Sequence, residues 1–464
     1  MKITVIGGGP GGYMAAIRAA QLGMEVTLVE KKSMGGTCLN VGCIPTKALL
    51  HSANLYRTIS KTAKSSGISV EGLEVDFSAM QKKKATIVKQ LVSGVGGLMK
   101  ANGVNVVNGV AEFVSENELK VTNGEEEIRI VSDKILIASG SVPSVVPIPG
   151  YDLDGVVDST GALEFEAVPE SLCIIGGGVI GMEMAYLYQT LGTKVTVVEM
   201  LPDLLVNMDS DIVEVLKKHL KKNKVDIYLE TKVKSIEKSE NGLVANVTCP
   251  DGHDKAIEAE KVLMCVGRKP AVSQLKLETI GVELERGRVV VDSNYETNVK
   301  GVYAIGDCIG GVMLAHVATA EGICAVEKIA GVESNIDMTT IPSCVYTDPE
   351  LSSVGITEKE AIARGLSYEV GKFPLMGNGK SLIEGDTSGL VKIIADKETK
   401  TVLGVHMCGK NATELVVEGA LAIHKKATVD DILDTIHAHP SVGESIQEAA
   451  HAVFGNALNM PPTK

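Results

Sequence analysis

The sequence contains very few aromatic residues. Among its 464 residues there is no tryptophan, and there are only five phenylalanines. The hydrophobic core must therefore be built from aliphatic side chains, and a hydrophobic content of 45% is ordinary for a globular protein. A chain of this length exceeds what a single core supports, so the length predicts about three domains.

The features of membrane proteins and nucleic-acid-binding proteins are also missing. No run reaches the roughly 18 uninterrupted apolar residues of a membrane-spanning helix, and the N-terminal "MKITVIGGGPGG" is too rich in glycine for a signal peptide. Positive charge is not in excess: the formal net charge is −13, whereas binding to the phosphate backbone of a nucleic acid needs clustered Lys and Arg. The acidic balance fits either simple solubility or attraction to a basic partner. We expect a cytoplasmic protein that binds neither membranes nor nucleic acid.

The nine cysteines do not form the framework of a disulfide-rich protein, and no spacing resembles a zinc site. Two of them, Cys38 and Cys43, lie five positions apart in "GGTCLNVGCIPTK". In a reducing compartment such a pair is more typical of catalysis or metal binding than of structural bracing. Only His51 is nearby as a further metal ligand, so redox chemistry is favoured and no metal is predicted. The remaining cysteines stand alone and are expected to be reduced core residues: Cys173, Cys249, Cys265, Cys308, Cys324, Cys344 and Cys408.

The spacing of the pair restricts its local structure. Residues five apart in a regular helix have Cα atoms about 8 Å apart, and a disulfide needs less than about 7 Å. If the two sulfurs bridge, the segment cannot be regular helix. Gly42 and Pro45 predict a distorted turn that opens into a helix, and a helix N-terminus lowers the pKa of a thiol.

The chain contains an internal repeat with a constant offset of 169 residues. Residues 3–30, "ITVIGGGPGGYMAAIRAAQLGMEVTLVE", and residues 172–199, "LCIIGGGVIGMEMAYLYQTLGTKVTVVE", are identical at twelve of 28 positions. Each copy has an apolar strand, a G-x-G-x-x-G turn, an amphipathic helix and a second strand that ends at Glu30 or Glu199. This β-α-β pattern predicts two Rossmann-like dinucleotide sites.

In each copy the three motif glycines have separate tasks. The first makes the tight turn, the second lets a pyrophosphate approach the backbone, and the third lets helix and strand pack closely. The glycines are Gly7, Gly9 and Gly12 in the first copy and Gly176, Gly178 and Gly181 in the second. The helix N-terminus offers free N–H groups to phosphate, and the acid can accept hydrogen bonds from a ribose diol. No Arg follows Glu199 closely, so the second site is predicted to prefer NAD over NADP.

A candidate base lies near the C-terminus in "TIHAHPSVGES". A single histidine such as His437 is most often structural. However, His439-Pro440 followed by Glu444 suits a base that a carboxylate holds in one tautomer. His439 and the cysteine pair are some 400 residues apart in sequence, so they could meet within one fold or across a dimer interface.

Taken together, these motifs resemble those of a known family. "GGTCLNVGCIPTKALL" and "HAHPSVGE" closely resemble the dihydrolipoyl dehydrogenases of the pyridine nucleotide–disulfide oxidoreductase family. The resemblance covers essentially the whole chain and includes "CVGRKP" at 265–270, "GVYAIGDC" at 301–308, "MLAHVATAEG" at 313–322 and "IPSCVYTDPELSSVGITE" at 341–358.

The resemblance implies a role for each motif. Cys43 would be the thiol nearest the flavin of FAD, and Cys38 would exchange with substrate. His439 would be the acid–base catalyst, oriented by Glu444 and contributed by the other subunit of a homodimer. The first repeat would bind FAD and the second NAD. The implied cofactor-binding residues are Gly7, Gly9, Gly12, Glu30, Lys47, Ala111, Ser139, Asp307, Ala315, Gly176, Gly178, Gly181, Glu183, Glu199, Val233 and Gly267.

Two of these residues have more specific implied roles, and three positions depart from the family pattern. Asp307 would hold the ribityl chain of FAD, and Lys47 would lie by the flavin, paired with Glu183. Ser139 and Ser441 replace usual threonines and keep the hydroxyl, and Ala111 replaces a frequent glycine near the adenosine. None of the three departures removes a reacting group.

The predicted fold is α/β: two Rossmann-like dinucleotide-binding domains, for FAD and NAD, plus a C-terminal α+β dimerisation domain. We expect an FAD-binding domain at 1–148, an NAD-binding domain at 149–268, a central domain completing the FAD site at 269–341, and the dimerisation domain at 342–464. The implied reaction is oxidation of protein-bound dihydrolipoamide with reduction of NAD. The implied partner is a lipoylated protein of a 2-oxoacid dehydrogenase or a glycine cleavage system.

Two alternatives remain open at the level of sequence. The first is a related reductase for glutathione, a similar disulfide or mercuric ion, although these relatives usually use NADPH and mercuric reductases carry a C-terminal cysteine pair, whereas the last cysteine here is Cys408. The second is an electron-transfer flavoprotein subunit without dithiol turnover, which the joint presence of both cysteines, His439 and Glu444 disfavours. NADH-dependent reduction of lipoamide, compared with oxidised glutathione, would discriminate.

Overall fold

The structure, a computed structural model, describes residues 1–461. Its helices are α1 (Pro10–Gln21), α2 (Gly36–Val41), α3 (Cys43–Thr62), α4 (Phe77–Ala101), α5 (Ser159–Leu163), α6 (Val179–Thr190), α7 (Ser210–Lys222), α8 (Ala315–Ile329), α9 (Glu358–Ala363), α10 (Gly379–Glu384), α11 (Ala412–His424), α12 (Val429–Asp434) and α13 (Glu444–Val453). Short 3-10 turns lie at Ser273–Leu275, Leu277–Ile280, Gly306–Ile309 and Leu375–Gly377. Within residues 1–461, no helix is both long and apolar enough to cross a membrane.

The strands are short, as is usual in a sheet protein of this size. They are β1 (Lys2–Ile6), β2 (Glu25–Glu30), β3 (Asn105–Asn108), β4 (Val110–Ser115), β5 (Glu118–Asn123), β6 (Glu126–Val131), β7 (Lys134–Ile137), β8 (Ser141–Pro143), β9 (Val156–Val157), β10 (Ser171–Ile175), β11 (Lys194–Val198), β12 (Asp226–Tyr228), β13 (Lys232–Ser239), β14 (Gly242–Thr248), β15 (Asp254–Ala259), β16 (Lys261–Met264), β17 (Arg268–Pro270), β18 (Leu284–Glu285), β19 (Arg288–Val289), β20 (Val302–Ala304), β21 (Ser343–Val345), β22 (Glu350–Gly355), β23 (Tyr368–Pro374), β24 (Leu390–Asp396) and β25 (Val402–Gly409).

The N-terminal repeat builds a parallel five-stranded sheet in the order β20-β7-β1-β2-β3. Its central strand β1 is a run of apolar and β-branched residues, and Ile3 and Val5 are fully buried, which is typical of a parallel strand covered on both faces. Helices α1 and α8 pack closely enough that a Cβ on Gly11 would lie 2.9 Å from the Ala318 carbonyl oxygen. The edge strand β20 comes from a segment far along the chain, so the region after residue 300 completes this first sheet.

The second repeat builds the same arrangement in the sheet β12-β11-β10-β16-β9. The strand register confirms the repeat: Lys2 pairs with Glu25 in the first sheet, and Ser171 pairs with Lys194 in the second, at the offset of 169 residues read from the sequence. Each of the two sheets has a three-stranded antiparallel sheet inserted into its chain segment: β4-β5-β6 lies between β3 and β7, and β13-β14-β15 lies between β12 and β16.

The C-terminal part has a different architecture. Its antiparallel sheet, in the order β21-β22-β25-β24-β23, is covered by α11 and α13 over a core of aliphatic residues such as Ile393, Val405 and Ile446, all fully buried. The two Rossmann-like units and the α+β C-terminal unit together confirm the predicted fold class.

Candidate active site

The first and third glycines of both loops are fixed by close backbone approaches. Gly7 and Gly176 have φ angles of +107° and +115°, and a Cβ on either would lie 2.3 Å from a carbonyl oxygen of the neighbouring strand's end. A Cβ on Gly12 would lie 1.8 Å from the Gly7 oxygen, and one on Gly181 would lie 2.1 Å from the Gly176 oxygen. Any side chain at these positions would push the loop away from the helix, so the tight turn depends on glycine.

The middle glycines instead border open space. A Cβ on Gly178 would meet no atom within 4 Å, and one on Gly9 would meet only the Gly36 Cα at 4.0 Å. Helices α6 and α1 begin just after these residues, so their unpaired N–H groups border this space. Both loops therefore offer what a pyrophosphate needs: room against the backbone and the positive end of a helix dipole.

The acids that end β2 and follow β11 lie against these loops. Glu30 accepts a 2.7 Å hydrogen bond from the Gly8 amide, and Glu199 accepts one from the Gly177 amide. The second oxygen of each carboxylate accepts from a backbone amide two residues on, at Lys32 and Leu201 respectively. The two carboxylates are therefore held at equivalent places beside their glycine loops, where a ribose would lie if the pyrophosphate occupied the loop.

The cysteine pair lies at a break between two helices. Helix α2 ends at Val41 and α3 begins at Cys43, and Gly42 between them has no room for a side chain because a Cβ would lie 2.8 Å from the Thr37 oxygen. Both cysteines are partly buried free thiols. The distorted turn that opens into a helix agrees with the sequence prediction.

The two thiols have unequal proton affinities. A hydrogen bond between the sulfurs, followed by burial, raises the pKa of Cys38 well above the ordinary thiol value. The same hydrogen bond, aided by the Lys47 ammonium, lowers the pKa of Cys43 to about 7. In the reduced pair, a large fraction of Cys43 is therefore thiolate at neutral pH, whereas Cys38 keeps its proton.

Lys47 is held in place by a buried carboxylate from the second repeat. Its Nζ atom donates to both oxygens of Glu183, at 2.8 and 2.7 Å, and Glu183 is only 3% exposed. Glu183 also accepts a hydrogen bond from the Tyr346 amide, and the Lys47 ammonium lies 4.5 Å from the centre of the Tyr346 ring. One turn after Cys43, a fixed cation thus joins helix α3, helix α6 and the segment after β21.

Asp307 belongs to a second polar group. Its carboxylate accepts from the Ser141 hydroxyl, which in turn accepts a 2.7 Å hydrogen bond from Arg268. Strands β8 and β17 pair and bring Ser141 and Arg268 together. Nearby, Glu321 accepts a hydrogen bond from the Gly306 amide, and burial with the adjacent Asp307 charge raises the pKa of Glu321 to about 7.

One buried polar atom in this region has no partner. The Ser139 hydroxyl, two residues after β7, is buried near the Cys308 thiol and has no geometrically defined hydrogen bond within residues 1–461. Buried hydroxyls are normally paired, so an unsatisfied one marks a place where a polar group of a ligand fits.

The remaining predicted cofactor residues are spread over four elements. Ala111 is buried on β4, Val233 is buried on β13, Ala315 is the first residue of α8, and Gly267 follows β16 with a φ angle of +105°. Ala315 lies at a helix N-terminus, which suits phosphate or carbonyl oxygens. The structure assigns no hydrogen-bonding role to Ala111 or Val233.

His439 and Glu444 form a pair in the C-terminal unit. His439 Nδ1 lies 2.8 Å from the Glu444 carboxylate, and the imidazole is 80% exposed. Burial opposes ionisation of Glu444, but the hydrogen bonds from the Ser441 amide and from His439 outweigh it and lower the pKa of Glu444. With the Nδ1 proton donated to the carboxylate, the Nε2 lone pair is free to accept a proton. Within the described part of a single chain, no hydrogen bond or ion pair joins His439 to either cysteine.

Sequence reasoning assigned no role to several residues of the site. Ser141 and Arg268 form the link to Asp307, and Tyr346 contacts the ion pair of Lys47. Arg268 and Tyr346 lie within the motif segments "CVGRKP" and "IPSCVYTDPE", which were a usable signal. Ser141 ends the segment "ILIASGS" at 135–141, which also resembles the family, but its contacts were not predictable because its partners are more than 100 residues away.

Comparison with known proteins agrees with this geometry. Residues 1–322 match the family described as "Pyridine nucleotide-disulphide oxidoreductase", and residues 341–450 match its dimerisation domain. "Dihydrolipoyl dehydrogenase 2, mitochondrial" of Arabidopsis thaliana is 45% identical over 99% of this chain and 91% of that protein. "Dihydrolipoyl dehydrogenase" of Geobacillus stearothermophilus is 42% identical over 99% of this chain and 97% of that protein.

A solved structure gives the same result in three dimensions. The "HOCl-induced flavoprotein disulfide reductase RclA from Escherichia coli" superposes with a TM-score of 0.87 at 30% identity, covering 98% of this chain and 100% of that chain. The family matches span most of the sequence, and the curated relatives cover nearly all of it. This chain therefore belongs to the pyridine nucleotide-disulphide oxidoreductase family.

Proposed function

We propose that the protein is an FAD-containing, NAD-dependent dihydrolipoyl dehydrogenase, which oxidises a protein-bound dihydrolipoyl group to its disulfide. The observation that carries this proposal is the pair of thiols at the α2–α3 break. Cys43 begins a helix, and the neighbouring Cys38 thiol and the Lys47 ammonium lower its pKa to about 7. This arrangement suits a pair that opens and closes during turnover, and full-length dihydrolipoyl dehydrogenases are 42–45% identical to the chain.

The residues present fit both cofactors. The glycine loops leave space only at Gly9 and Gly178, where a pyrophosphate would approach. On the FAD side, the unpartnered Ser139 hydroxyl and the Asp307 carboxylate are available to polar atoms of the flavin nucleotide. On the NAD side, Glu199 suits a ribose diol and would repel a 2′-phosphate. When bound, FAD supplies the hydride chemistry between the thiols and NAD.

The protein's own groups perform the dithiol exchange. His439 Nε2 removes a proton from one substrate thiol, and the resulting thiolate attacks the Cys38 sulfur of the oxidised pair. The Cys38–Cys43 bond breaks, Cys43 leaves as a thiolate, and a mixed disulfide joins substrate to Cys38. The second substrate thiol then attacks the substrate sulfur of the mixed disulfide. The lipoyl ring closes, and Cys38 leaves and takes up the proton of that second thiol. The lowered pKa of Cys43 makes it the better leaving group.

Lys47 and Glu183 set the charge around Cys43. The Lys47 ammonium favours the Cys43 thiolate, whereas the Glu183 carboxylate opposes it. Because Lys47 and Glu183 form an ion pair, their combined electrostatic effect on the Cys43 sulfur is smaller than that of a lysine alone. The pair therefore keeps the pKa of Cys43 near neutrality.

We propose a homodimer in which His439 of one subunit serves the cysteine pair of the other. Three observations support this arrangement: residues 341–450 match a dimerisation domain, His439 is 80% exposed, and apolar side chains on the same unit are exposed. These include Ile436 at 96%, Val417 at 68% and Leu421 at 60%. Exposed apolar patches of this kind are typical of interaction surfaces.

The remaining parts of the proposal concern partners, domains and location. The substrate is carried by a lipoylated protein of a 2-oxoacid dehydrogenase or a glycine cleavage system. We propose domains at 1–148, 149–268, 269–341 and 342–464. The pairing of β9 with β16 supports the first boundary, because β9 then belongs to the second sheet. The pairing of β20 with β7 supports the return of the central domain to the FAD site. A cytoplasmic location stays a prediction.

A comparison of substrates tests this function. The purified yellow protein is given NADH with either lipoamide or oxidised glutathione, and NADPH replaces NADH in a parallel pair of reactions. We expect NADH-dependent reduction of lipoamide to exceed each of the other three rates by at least about 10²-fold, the scale of discrimination between substrates that fit a site differently. Faster reduction of glutathione, or a preference for NADPH, would reject the proposal in favour of a glutathione-type reductase.

A further inference from the structure

An ion cluster around a fully buried lysine connects the C-terminal unit to the second Rossmann-like unit, outside the candidate active site. Lys392 on β24 is 0% exposed, and its ammonium contacts both oxygens of Asp209 at 2.9 Å. It also contacts Asp211 and Glu358, each at 2.6 Å. Burial opposes the charge of Lys392, but its hydrogen bonds to the three carboxylates raise its pKa, so it stays protonated.

The aspartates of this cluster belong to the start of α7. Asp209 is the residue before the helix and its carboxylate accepts from the Asp211 amide, so it both caps α7 and binds Lys392. Asp209 is 1% exposed and also accepts a hydrogen bond from the Glu358 amide of the C-terminal unit. A buried cation removed from such a cluster would leave uncompensated carboxylates, which is strongly unfavourable.

The segment that ends at Asp209 begins at the acid of the second dinucleotide loop. Residues 200–209 directly follow Glu199, whose carboxylate accepts a 2.7 Å hydrogen bond from the Leu201 amide. The Leu205 amide donates to the Gly177 oxygen at 3.0 Å, and Leu204 packs where a Cβ on Gly177 would lie, 2.6 Å away. The segment is therefore bound to Glu199 at its start, to the glycine loop in its middle, and to Lys392 at its end.

The middle of the segment depends on support from outside. Leu205 has a φ angle of +47°, in the left-handed region that a branched apolar residue rarely adopts. Such a conformation persists only where the surrounding structure holds it. Leu204 and Leu205 are buried, and the hydrogen bond to Gly177 is made from this same residue. Release of the Asp209 end would let the segment relax and shift both the Leu205–Gly177 bond and the backbone amide that orients Glu199.

We propose that Lys392, through Asp209, is a positioning residue for the NAD site: it holds segment 200–209 against the glycine loop and Glu199 from the C-terminal unit. This inference rests on the proposed binding of NAD at the second repeat. It predicts that loss of the buried ion pair weakens NAD binding. A residue that merely stabilised the fold would instead lower the amount of folded protein and leave the KM for NAD of that folded protein unchanged.

The test compares Lys392→Met, which keeps the length and removes the charge, with Lys372→Met. Lys372 is the matched control because it contacts the same Asp211 at 2.9 Å but is 46% exposed. The FAD-loaded variants are assayed for NAD-dependent dihydrolipoamide oxidation, and the KM values of both substrates and kcat are measured. For Lys392→Met we expect the KM for NAD to rise about tenfold, within the 5–150-fold range of typical coupling between sites. The KM for dihydrolipoamide, kcat at saturating NAD and the flavin spectrum should change less than about twofold, and Lys372→Met should leave all of these unchanged.

The outcomes separate this inference from the proposed function. If the unsubstituted protein does not turn over with NAD, the proposed function fails. If it does turn over and folded Lys392→Met keeps the KM for NAD, or if kcat and both KM values change in parallel, the positioning role of Lys392 is wrong. If Lys392→Met gives no folded protein, Asp209→Asn decides: it keeps the cap of α7 and weakens the pair, and an unchanged KM for NAD in that variant would also overturn the inference.

Discussion

Cys43 is the first residue of α3, and the Cys38 thiol and the Lys47 ammonium both lower the pKa of its sulfur. Each of these three influences favours the thiolate, and burial opposes them. Cys38 bears the opposite effect, because its proton is the one that is shared. In the proposed mechanism the two cysteines therefore have different roles: the substrate thiolate attacks Cys38, and Cys43 is the leaving thiolate that passes electrons on.

Removal of the Cys38 thiol should raise the pKa of Cys43. In the reduced protein the rate of Cys43 alkylation should rise with pH to a midpoint near 7, because the thiolate is the reactive form. In Cys38→Ala the donor is gone, so the thiolate fraction at pH 7 falls and the midpoint moves to higher pH. Alkylation of Cys43, followed by mass spectrometry across a pH series, measures both curves; superimposable curves would contradict the assigned hydrogen bond.

Substitution Cys43→Ser should abolish oxidation of dihydrolipoamide while FAD stays bound. The long-wavelength absorbance of the reduced enzyme, which reports a thiolate beside the flavin, should disappear together with the activity. Cys249→Ser is the control, since that partly buried thiol lies in the turn between β14 and β15, away from the pair. An intact long-wavelength band in Cys43→Ser would show that Cys43 is not the thiol next to the flavin.

His439→Gln should lower turnover by about 10²–10⁴-fold, as expected for the loss of a general base. His437→Gln is the control. The two ring nitrogens of His437 are hydrogen-bonded to the Thr435 oxygen and the Glu418 carboxylate, so neither is free for substrate. Steady-state kinetics with dihydrolipoamide and NAD compare the two variants. A loss of turnover of less than about threefold in His439→Gln would show that His439 is not the general base.

At the scale of elements, much of the fold follows from local patterns. The two G-x-G-x-x-G turns predicted two β-α-β units, and the structure has β1-α1-β2 and β10-α6-β11 in matching register. Gly42 and Pro45 predicted the helix that begins at Cys43. Contacts between distant segments could not be predicted, because no periodicity marks them: β20 as an edge of the first sheet and the pairing of β8 with β17 are examples.

The glycines of the second loop should respond differently to the same substitution. In Gly178→Ala the methyl group enters open space, so folding is preserved, but it occupies the room for the pyrophosphate. We expect the KM for NAD to rise about tenfold or more, about 1.4 kcal/mol or more, with little change in thermal stability. In Gly181→Ala the Cβ would lie 2.1 Å from the Gly176 oxygen, so the protein should lose about 1–3 kcal/mol of stability.

The control for this pair is Gly94→Ala, in the exposed part of α4 where a Cβ meets nothing. It should gain about 0.5–1 kcal/mol of helix stability and leave the KM for NAD unchanged. Thermal melts and NAD kinetics on the three variants provide the comparison. If Gly178→Ala binds NAD as well as the unsubstituted protein, the second loop does not hold the pyrophosphate.

At the scale of the whole molecule, the proposed catalytic groups lie on two separate units. The cysteine pair belongs to the first unit, and the exposed His439–Glu444 pair belongs to the C-terminal unit, next to exposed apolar residues such as Ile436. The sequence alone left open whether His439 serves its own chain, because about 400 residues of separation do not determine distance. The cluster around Lys392 could not be predicted either, because its acids lie at the starts of α7 and α9 and its cation lies on β24.

Mixed dimers should reveal whether His439 acts across the interface. A dimer of one Cys43→Ser chain and one His439→Gln chain holds one intact site if the histidine serves the other subunit, and none if it serves its own. Each homodimer should be nearly inactive, and the mixed dimer should recover about half of the normal activity per dimer. Affinity tags of two kinds isolate the mixed species, and a mixed dimer as inactive as its parents would place the histidine in its own chain's site.

The central claim is that Cys38 and Cys43 alternate between a disulfide and two thiols during turnover. Differential alkylation tests it most directly: the FAD-loaded protein is alkylated with one reagent, treated with NADH, alkylated with a second reagent, and digested for mass spectrometry. We predict that the peptide with both cysteines escapes the first reagent and takes up the second at both positions, while the labelling of the other seven cysteines is unchanged. Labelling of Cys38 and Cys43 by the first reagent, or no labelling of the pair after NADH, would contradict the account.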